Sequence, residues 1–226
     1  MKSGNVTRIG ISRDFLTTAG ERSFDEGAWQ RLAGRAGVEL EFLQAPAASP
    51  ITADDLERYD ALIIKRNPVA ASIFGPMPPR LRLIARNGVG VDHLDLAACT
   101  GTGAIVATTP DAVARPVASS VMAMILALSH DLLARDRLTR AGRWSERWNR
   151  PGIGLTGRTL GVIGLGNIGL EVLRLASPWE MRHLGTTPRP DPSRYAGLRV
   201  DPVPLETLLA RSDFVVLCCP LNERTR

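Results

Sequence analysis

Short apolar runs recur through the first hundred residues, at 7–12, 38–43, 61–65, 82–86 and 104–107. Each is of strand length. The segments between them place apolar residues three and four apart, which predicts helices around 25–36, 53–58, 69–74 and 94–100. Strands that alternate with helices in this way predict a parallel sheet covered on both faces. The stretches 45–50 and Gly75-Pro76-Met77-Pro78-Pro79 are turn-forming punctuation. After Thr108-Thr109-Pro110 the pattern changes to one long helix over 112–134, a second helix, and an irregular stretch at 149–155. A new alternation follows: strand 159–163, helix 167–176, strand 181–186, a Pro-rich loop 188–204, helix 205–211 and strand 213–218. The domain change is expected near Thr109, with the long helix as connector, giving domains over 1–108 and 109–226.

The glycines in the second alternation carry chemistry. Gly164-Leu-Gly166-Asn167-Ile168-Gly169 follows a strand and opens an amphipathic helix, the setting a dinucleotide fingerprint requires. In that reading Gly164 makes the tight turn, Gly166 lets backbone approach a diphosphate, and Gly169 allows close packing of helix on strand. The phosphates then sit on free N–H groups at Asn167 and Ile168, where the helix dipole favours negative charge. A dinucleotide site of the NAD type wants a carboxylate about twenty residues past the glycines, at the end of the second strand. That position is Thr187, and Arg189 follows two residues later. A missing acid beside a guanidinium that matches phosphate geometry favours NADP over NAD. Asp191 keeps NAD open, as does reading Arg189 as a solvated loop charge.

Composition changes this picture little. The chain has 226 residues, is 44% hydrophobic and carries a formal charge of +5. Charges of both signs are spread throughout, so mild positive charge does not argue for nucleic acid. The one dense basic stretch is Arg135, Arg137, Arg140, Arg143, Arg147 and Arg150, interleaved with Trp144 and Trp148. With Asp131, Asp136 and Glu146 nearby, it suits a solvated or partner-facing helix better than a nucleic-acid surface. Cys99, Cys218 and Cys219 form no disulfide framework and point to a reducing compartment. The N-terminus shows no apolar signal region, and the run 117–128 is too short to cross a bilayer, so a cytoplasmic protein off the membrane is expected.

Several stretches, taken in order, resemble one known family. They are Asn87-Gly-Val-Gly-Val-Asp-His-Leu-Asp95, Thr109-Pro-Asp111, Arg115-Pro-Val-Ala118, Ala141-Gly-Arg-Trp144, Gly157 through Gly169, and Cys219-Pro-Leu-Asn-Glu-Arg-Thr225. In that order and spacing the chain resembles the D-isomer-specific 2-hydroxyacid dehydrogenases, nearest the hydroxypyruvate/glyoxylate reductase and phosphoglycerate dehydrogenase branch. The resemblance is good from about residue 60 onward and rests on pattern alone before that.

The resemblance implies an α/β fold: a flavodoxin-like substrate domain followed by a Rossmann-type dinucleotide-binding domain, here incomplete at its C-terminus. It implies hydride transfer between NAD(P) and a small 2-oxo or 2-hydroxy acid, and a homodimer formed through the long helix and the Arg/Trp stretch. The backbone of Val89 and Gly90 carries over as the contact for the substrate carboxylate. Gly88-Val89-Gly90 after a strand suits this on physical grounds, because glycines let N–H groups converge on an anion; a plain Gly-rich turn is the alternative. Pro220 and Thr225 carry over with the cofactor site. His93 corresponds to a variable, structural position, and His130 and His183 fall in helix and strand patterns.

Family order places the Arg that holds the 2-oxo acid, the proton-donating His and its carboxylate after the Cys-Pro-Leu strand end. All three are therefore expected beyond Arg226, and the 226 residues are expected to be a partial sequence without catalytic groups of their own. A non-catalytic NAD(P)-binding module, serving as a redox sensor or partner-binding protein, is the alternative, and a non-functional gene fragment the third reading.

Overall fold

The computed structural model describes residues 6–77 and 79–226. The chain divides into two compact units, Met1–Thr109 and Pro110–Arg226.

The first unit holds a five-stranded sheet, every neighbouring pair parallel, in the order β2-β1-β3-β4-β5. Its strands are β1 (Thr7–Ile11), β2 (Val38–Phe42), β3 (Ala61–Ile64), β4 (Leu83–Arg86) and β5 (Ile105–Thr108). This is the flavodoxin-like order. Parallel strands need crossovers, and α1 (Glu26–Ala33), α2 (Ala53–Arg58) and α3 (Leu96–Gly101) provide three of them. Each starts on a side chain that accepts an otherwise unpaired backbone N–H: Asp25 from Ala28, Thr52 from Asp55, and Asp95 from Ala98. One face of the sheet packs Leu43, Leu56, Tyr59, Leu62, Ile64 and Ile84 into a core. Gly10 sits opposite it, where a Cβ would lie 2.8–2.9 Å from Leu62, Leu43 and Tyr59.

The helix predicted over 69–74 is absent. Val69 instead bridges Leu94, and only Ala71–Ile73 make one 3-10 turn. Pro68 explains the difference: it biases Asn67 toward extended backbone, and the Val69 N–H goes to His93 O rather than into a helix.

The second unit holds a four-stranded parallel sheet in the order β8-β7-β6-β9. Its strands are β6 (Thr159–Ile163), β7 (Arg182–Thr186), β8 (Val200–Pro202) and β9 (Phe214–Leu217). Relabelled from β6, the order reads 3-2-1-4, the Rossmann arrangement. β8 falls inside the loop predicted over 188–204. Three residues ending in a proline carry too little alternation to be read as a strand.

The long helix predicted over 112–134 is two helices, α4 (Pro110–Ser129) and α5 (Leu132–Arg140). Asp131, with φ 47°, turns the chain between them, and Arg150 pairs with its carboxylate at 2.8 Å. The break is offset by the returning stretch at 149–155, where Ile153 N–H donates to the Ser129 carbonyl at 2.7 Å. Apolar spacing alone continues smoothly across this corner and hides it.

α4 also corrects the length argument about membranes. It runs 20 residues at mean hydropathy 1.6, long and apolar enough by length and composition to cross a bilayer. Its inward residues Ala118, Met122 and Ile125 pack with Leu160, Val162, Leu170 and Leu173 in the core.

Candidate functional site: a glycine turn at the end of a parallel sheet

β6 is buried through Leu160, Gly161 and Val162, and it delivers the chain to a turn at Gly164-Leu165-Gly166 before α6 (Asn167–Ala176) begins. The strand order reverses at this point, with β7 on one side of β6 and β9 on the other. Ligands of open α/β sheets bind at such switch points, beyond the carboxyl ends of the strands.

The three glycines differ in what they do. Gly164 has φ +103°, and a Cβ there would lie 2.7 Å from the Cys218 carbonyl carbon and the Cys219 nitrogen. Backbone conformation and space both require glycine. Its N–H donates to Thr186 O at 2.9 Å, tying the turn to the end of β7. Gly169 lies inside the first turn of α6, where a Cβ would sit 2.1 Å from Gly164 O. Its absence lets the helix lie directly on the turn. Gly166 is the opposite case: a Cβ there would meet nothing within 4 Å. It is the N-cap of α6 and makes no side-chain cap bond.

The first hydrogen bond of α6 runs from Leu170 N–H to Gly166 O at 2.9 Å. The N–H groups of Asn167, Ile168 and Gly169 precede it, so they are the unpaired donors of a helix start. Glu171 ties the helix to α4. It pairs with Arg115 of α4 at 2.6 Å and also with Arg174 of α6, and the Arg115 hydrogen bond leads in holding its carboxyl below the ordinary range. An open glycine, unpaired N–H groups and a positive helix end together fit the diphosphate of a dinucleotide.

Around this turn, Thr187 is half-buried just past β7, and Arg189 is exposed. Asp191 accepts from Ser193 N–H at 3.1 Å and Ser193 Oγ at 2.6 Å, so its carboxylate caps the next turn. After β9, Thr225 Oγ1 donates to Pro220 O at 2.6 Å and accepts from Asn222 N–H at 2.9 Å. Pro220 and Thr225 are thereby brought together in one exposed turn. The Cys218 thiol, packed against the core, is pushed up to about 11 by burial.

In the first unit, the loop after β4 is anchored at Gly88. Gly88 has φ +135°, and it exchanges two bonds with Thr109: its N–H donates to Thr109 Oγ1 at 2.8 Å, and its carbonyl accepts from Thr109 N–H at 2.9 Å. Arg86 lies across the loop, donating to Asn87 O at 2.7 Å. Val89 and Gly90 are exposed beyond this anchor. His93 is half-buried; burial, followed by the nearby Arg86, pushes its pKa down. His183 is the second residue of β7, with its pKa also pushed down by burial.

Sequence spacing missed one residue at the site. Arg194, eight positions past β7, donates to Asn167 Oδ1 at 2.6 Å. Spacing rules end at the close of the second strand, and only the turn geometry beyond it brings this arginine back to α6.

An open parallel sheet with a glycine turn at its switch point defines a dinucleotide-binding α/β protein. Comparison with known proteins sharpens this. Residues 122–226 match the family described as D-isomer specific 2-hydroxyacid dehydrogenase, NAD binding domain. The chain is 35% identical over 188 residues to a glyoxylate reductase of Korarchaeum cryptofilum, covering 80% of this chain and 56% of that protein. It is 32% identical over 200 residues to D-3-phosphoglycerate dehydrogenase 2, chloroplastic, of Arabidopsis thaliana, covering 85% of this chain and 32% of that protein. Among solved structures, the TT0316 protein of Thermus thermophilus superposes with TM-score 0.77 at 28% identity, over 97% of this chain and 67% of that one. D-Lactate dehydrogenase from Aquifex aeolicus, complexed with NAD and lactic acid, shares the fold with TM-score 0.79 at 23% identity, over 96% and 62% of the two chains. Residues 122–226 belong to the NAD-binding domain of the D-isomer-specific 2-hydroxyacid dehydrogenase family. The chain spans between about a third and just over half of the two curated relatives above.

Proposed function

We propose that this chain is the cofactor-binding and substrate-carboxylate-binding part of an NAD(P)-dependent oxidoreductase acting on a small 2-oxo or 2-hydroxy acid. The observation that carries this reading is the open Gly166 beside the unpaired N–H groups of α6, at the point where the strand order reverses. When bound, the nicotinamide supplies the hydride. The chain's own residues do the rest by binding. The amides of Gly166, Asn167 and Ile168 hold the diphosphate, and Gly164 and Gly169 keep the turn tight against α6. The amide N–H groups of Val89 and Gly90 donate to the substrate carboxylate, in a loop held by Thr109. No acid–base step is assigned to His93, His130 or His183; the proton donor, its carboxylate and the substrate-holding arginine are placed outside these residues.

For the cofactor we favour NADP over NAD. Thr187 offers no carboxylate to a ribose 2′-hydroxyl, Asp191 is engaged as a cap, and Arg189 is exposed two residues on. Glyoxylate and hydroxypyruvate are the substrates we favour, in keeping with the glyoxylate reductase similarity. We also propose a homodimer through the outward side of α4 and α5, where Met124, Leu128 and Leu133 are exposed, and the 3-10 turn Trp144–Asn149 after them, where Trp144 and Trp148 are exposed. Three free cysteines suit a reducing, cytoplasmic setting.

Titration of the chain with NADH and NADPH, followed by nicotinamide fluorescence, tests the reading. Saturable binding that Gly166→Asp abolishes is expected, because a carboxylate would fill the open space and repel the diphosphate. Wild-type chain that binds neither nucleotide, or unchanged affinity in Gly166→Asp, refutes it.

A further inference from the structure

The loop after β7 returns an arginine to the glycine turn, and it is held from both sides. Asp191 caps the 3-10 turn Pro192–Tyr195, Pro192 fixes its first backbone angle, and Tyr195 is 8% exposed, packed into the core of the second unit. Arg194 stands between cap and anchor, so the backbone that carries it has little freedom. Its Nη2 donates to Asn167 Oδ1 at 2.6 Å, and Asn167 is the first residue of α6. Among the described residues it is the one cation hydrogen-bonded to positions 164–169. The Asn167 amide donates in turn to Asp111 Oδ1 at 3.4 Å, so a carboxylate lies close to the same helix end.

We propose that Arg194 binds the diphosphate of the cofactor, the group common to NAD and NADP, with Asn167 as the residue that positions it. This inference rests on the dinucleotide reading above. The helix N-terminus offers N–H groups but no full positive charge, while Asp111 nearby repels an anion. A guanidinium on the opposite lip supplies that charge. It carries five N–H donors in a planar fork that matches phosphate, and the bond to Asn167 uses one of them. The role differs from that of Arg189, which reads the 2′-phosphate that only NADP carries.

The test is calorimetric titration of the full 226-residue chain with NADH, NADPH, ADP-ribose and adenosine. The variants are Arg194→Ala, Arg194→Gln and Asn167→Ala, each checked for folding by circular dichroism. Loss of Arg194 in either form weakens NADH, NADPH and ADP-ribose alike by about tenfold or more, as for a charge-assisted hydrogen bond to an anion. Adenosine, which has no phosphate, is unaffected. Asn167→Ala frees the guanidinium without removing charge and gives a smaller loss, roughly threefold, on the same three ligands, as for one neutral hydrogen bond. The losses shrink at high salt. A change below about twofold for ADP-ribose overturns the proposal, being less than one ordinary hydrogen bond is worth. A loss confined to NADPH overturns it too, since Arg194 then reads the 2′-phosphate. Wild-type chain that binds no dinucleotide at all instead refutes the site reading on which the proposal stands.

Discussion

Adding one methyl group at Gly169 and one at Gly166 should give opposite phenotypes. A Cβ at Gly169 would sit 2.1 Å from Gly164 O, a backbone atom of the turn itself, and 3.1 Å from Val162 Cγ1. An ordinary carbon–oxygen contact is roughly 3.3 Å, so α6 and the turn must separate by about 1 Å. Overpacking of this kind costs about 1–3 kcal/mol, here at the upper end because no side chain can swing away. Alanine returns up to about 1 kcal/mol of helix propensity, leaving a net loss near 2 kcal/mol. For a chain of this size that lowers Tm by roughly 4–8 °C. Gly166→Ala meets nothing within 4 Å and has φ −83°, which alanine tolerates. Its cost is that of a poorer N-cap, at most about 1 kcal/mol. The added methyl projects into the open space where the diphosphate is placed, so cofactor affinity falls while stability is nearly kept. Differential scanning calorimetry and NADPH titration on both variants separate the two effects. A Gly169→Ala chain that melts with wild type, or a Gly166→Ala chain with full affinity, would falsify this division of labour.

Three further predictions concern charge, protonation and assembly. Arg189→Ala is expected to weaken NADPH by about tenfold and NADH by less than about twofold, as for a lost charge-assisted contact to the 2′-phosphate; equal losses in titration remove the case for NADP. His183 is buried in β7 with Nε2 unpaired, and burial holds its folded-state pKa below the ordinary value. The unfolded chain therefore binds the proton more readily, so stability is fully present above about pH 6.5 and declines as the pH falls through the folded pKa. His183→Leu should flatten that decline in urea melts between about pH 7 and pH 5, and an unchanged pH slope sinks the assignment. Leu133→Asp on the exposed side of α5 should shift a dimer to monomer in light scattering, with the fold retained; a variant that stays dimeric places the interface elsewhere.

The elements that sequence reading found best are those whose signal is local. β6, α6, α2 and α7 (Leu205–Arg211) coincide with their sequence-based bounds, because a buried apolar run, a capping residue or a glycine turn marks each end within a few positions. The flavodoxin-like and Rossmann orders follow from strand–helix alternation together with the resemblance. Two of the failures share one cause: the deciding interaction is distant in sequence. The corner at Asp131 depends on Ile153 reaching Ser129 and Arg150 reaching Asp131. The strand at Val200–Pro202 exists because β7 offers an unpaired edge.

The same distinction runs through the site. Gly164 and Gly169 are legible because the positive φ of the turn and the packing of α6 on it are set close by in the chain, although Cys218 and Cys219 also close the space at Gly164. Arg194 is not legible, because a count from the glycines ends at the close of β7, near Thr187. What returns it is a turn stiffened by Asp191 and Pro192 and tethered by Tyr195 in the core. Tyr195→Ala therefore bears on the argument as well. It would loosen the turn while leaving Arg194 and the residues of α6 unchanged, and should reproduce part of the Arg194→Ala loss for ADP-ribose alongside a drop in stability of about 3 kcal/mol for an emptied aromatic site. If ADP-ribose affinity stayed at the wild-type value while stability fell, the guanidinium would find the diphosphate without its turn, and the positioning role given to that turn would be wrong.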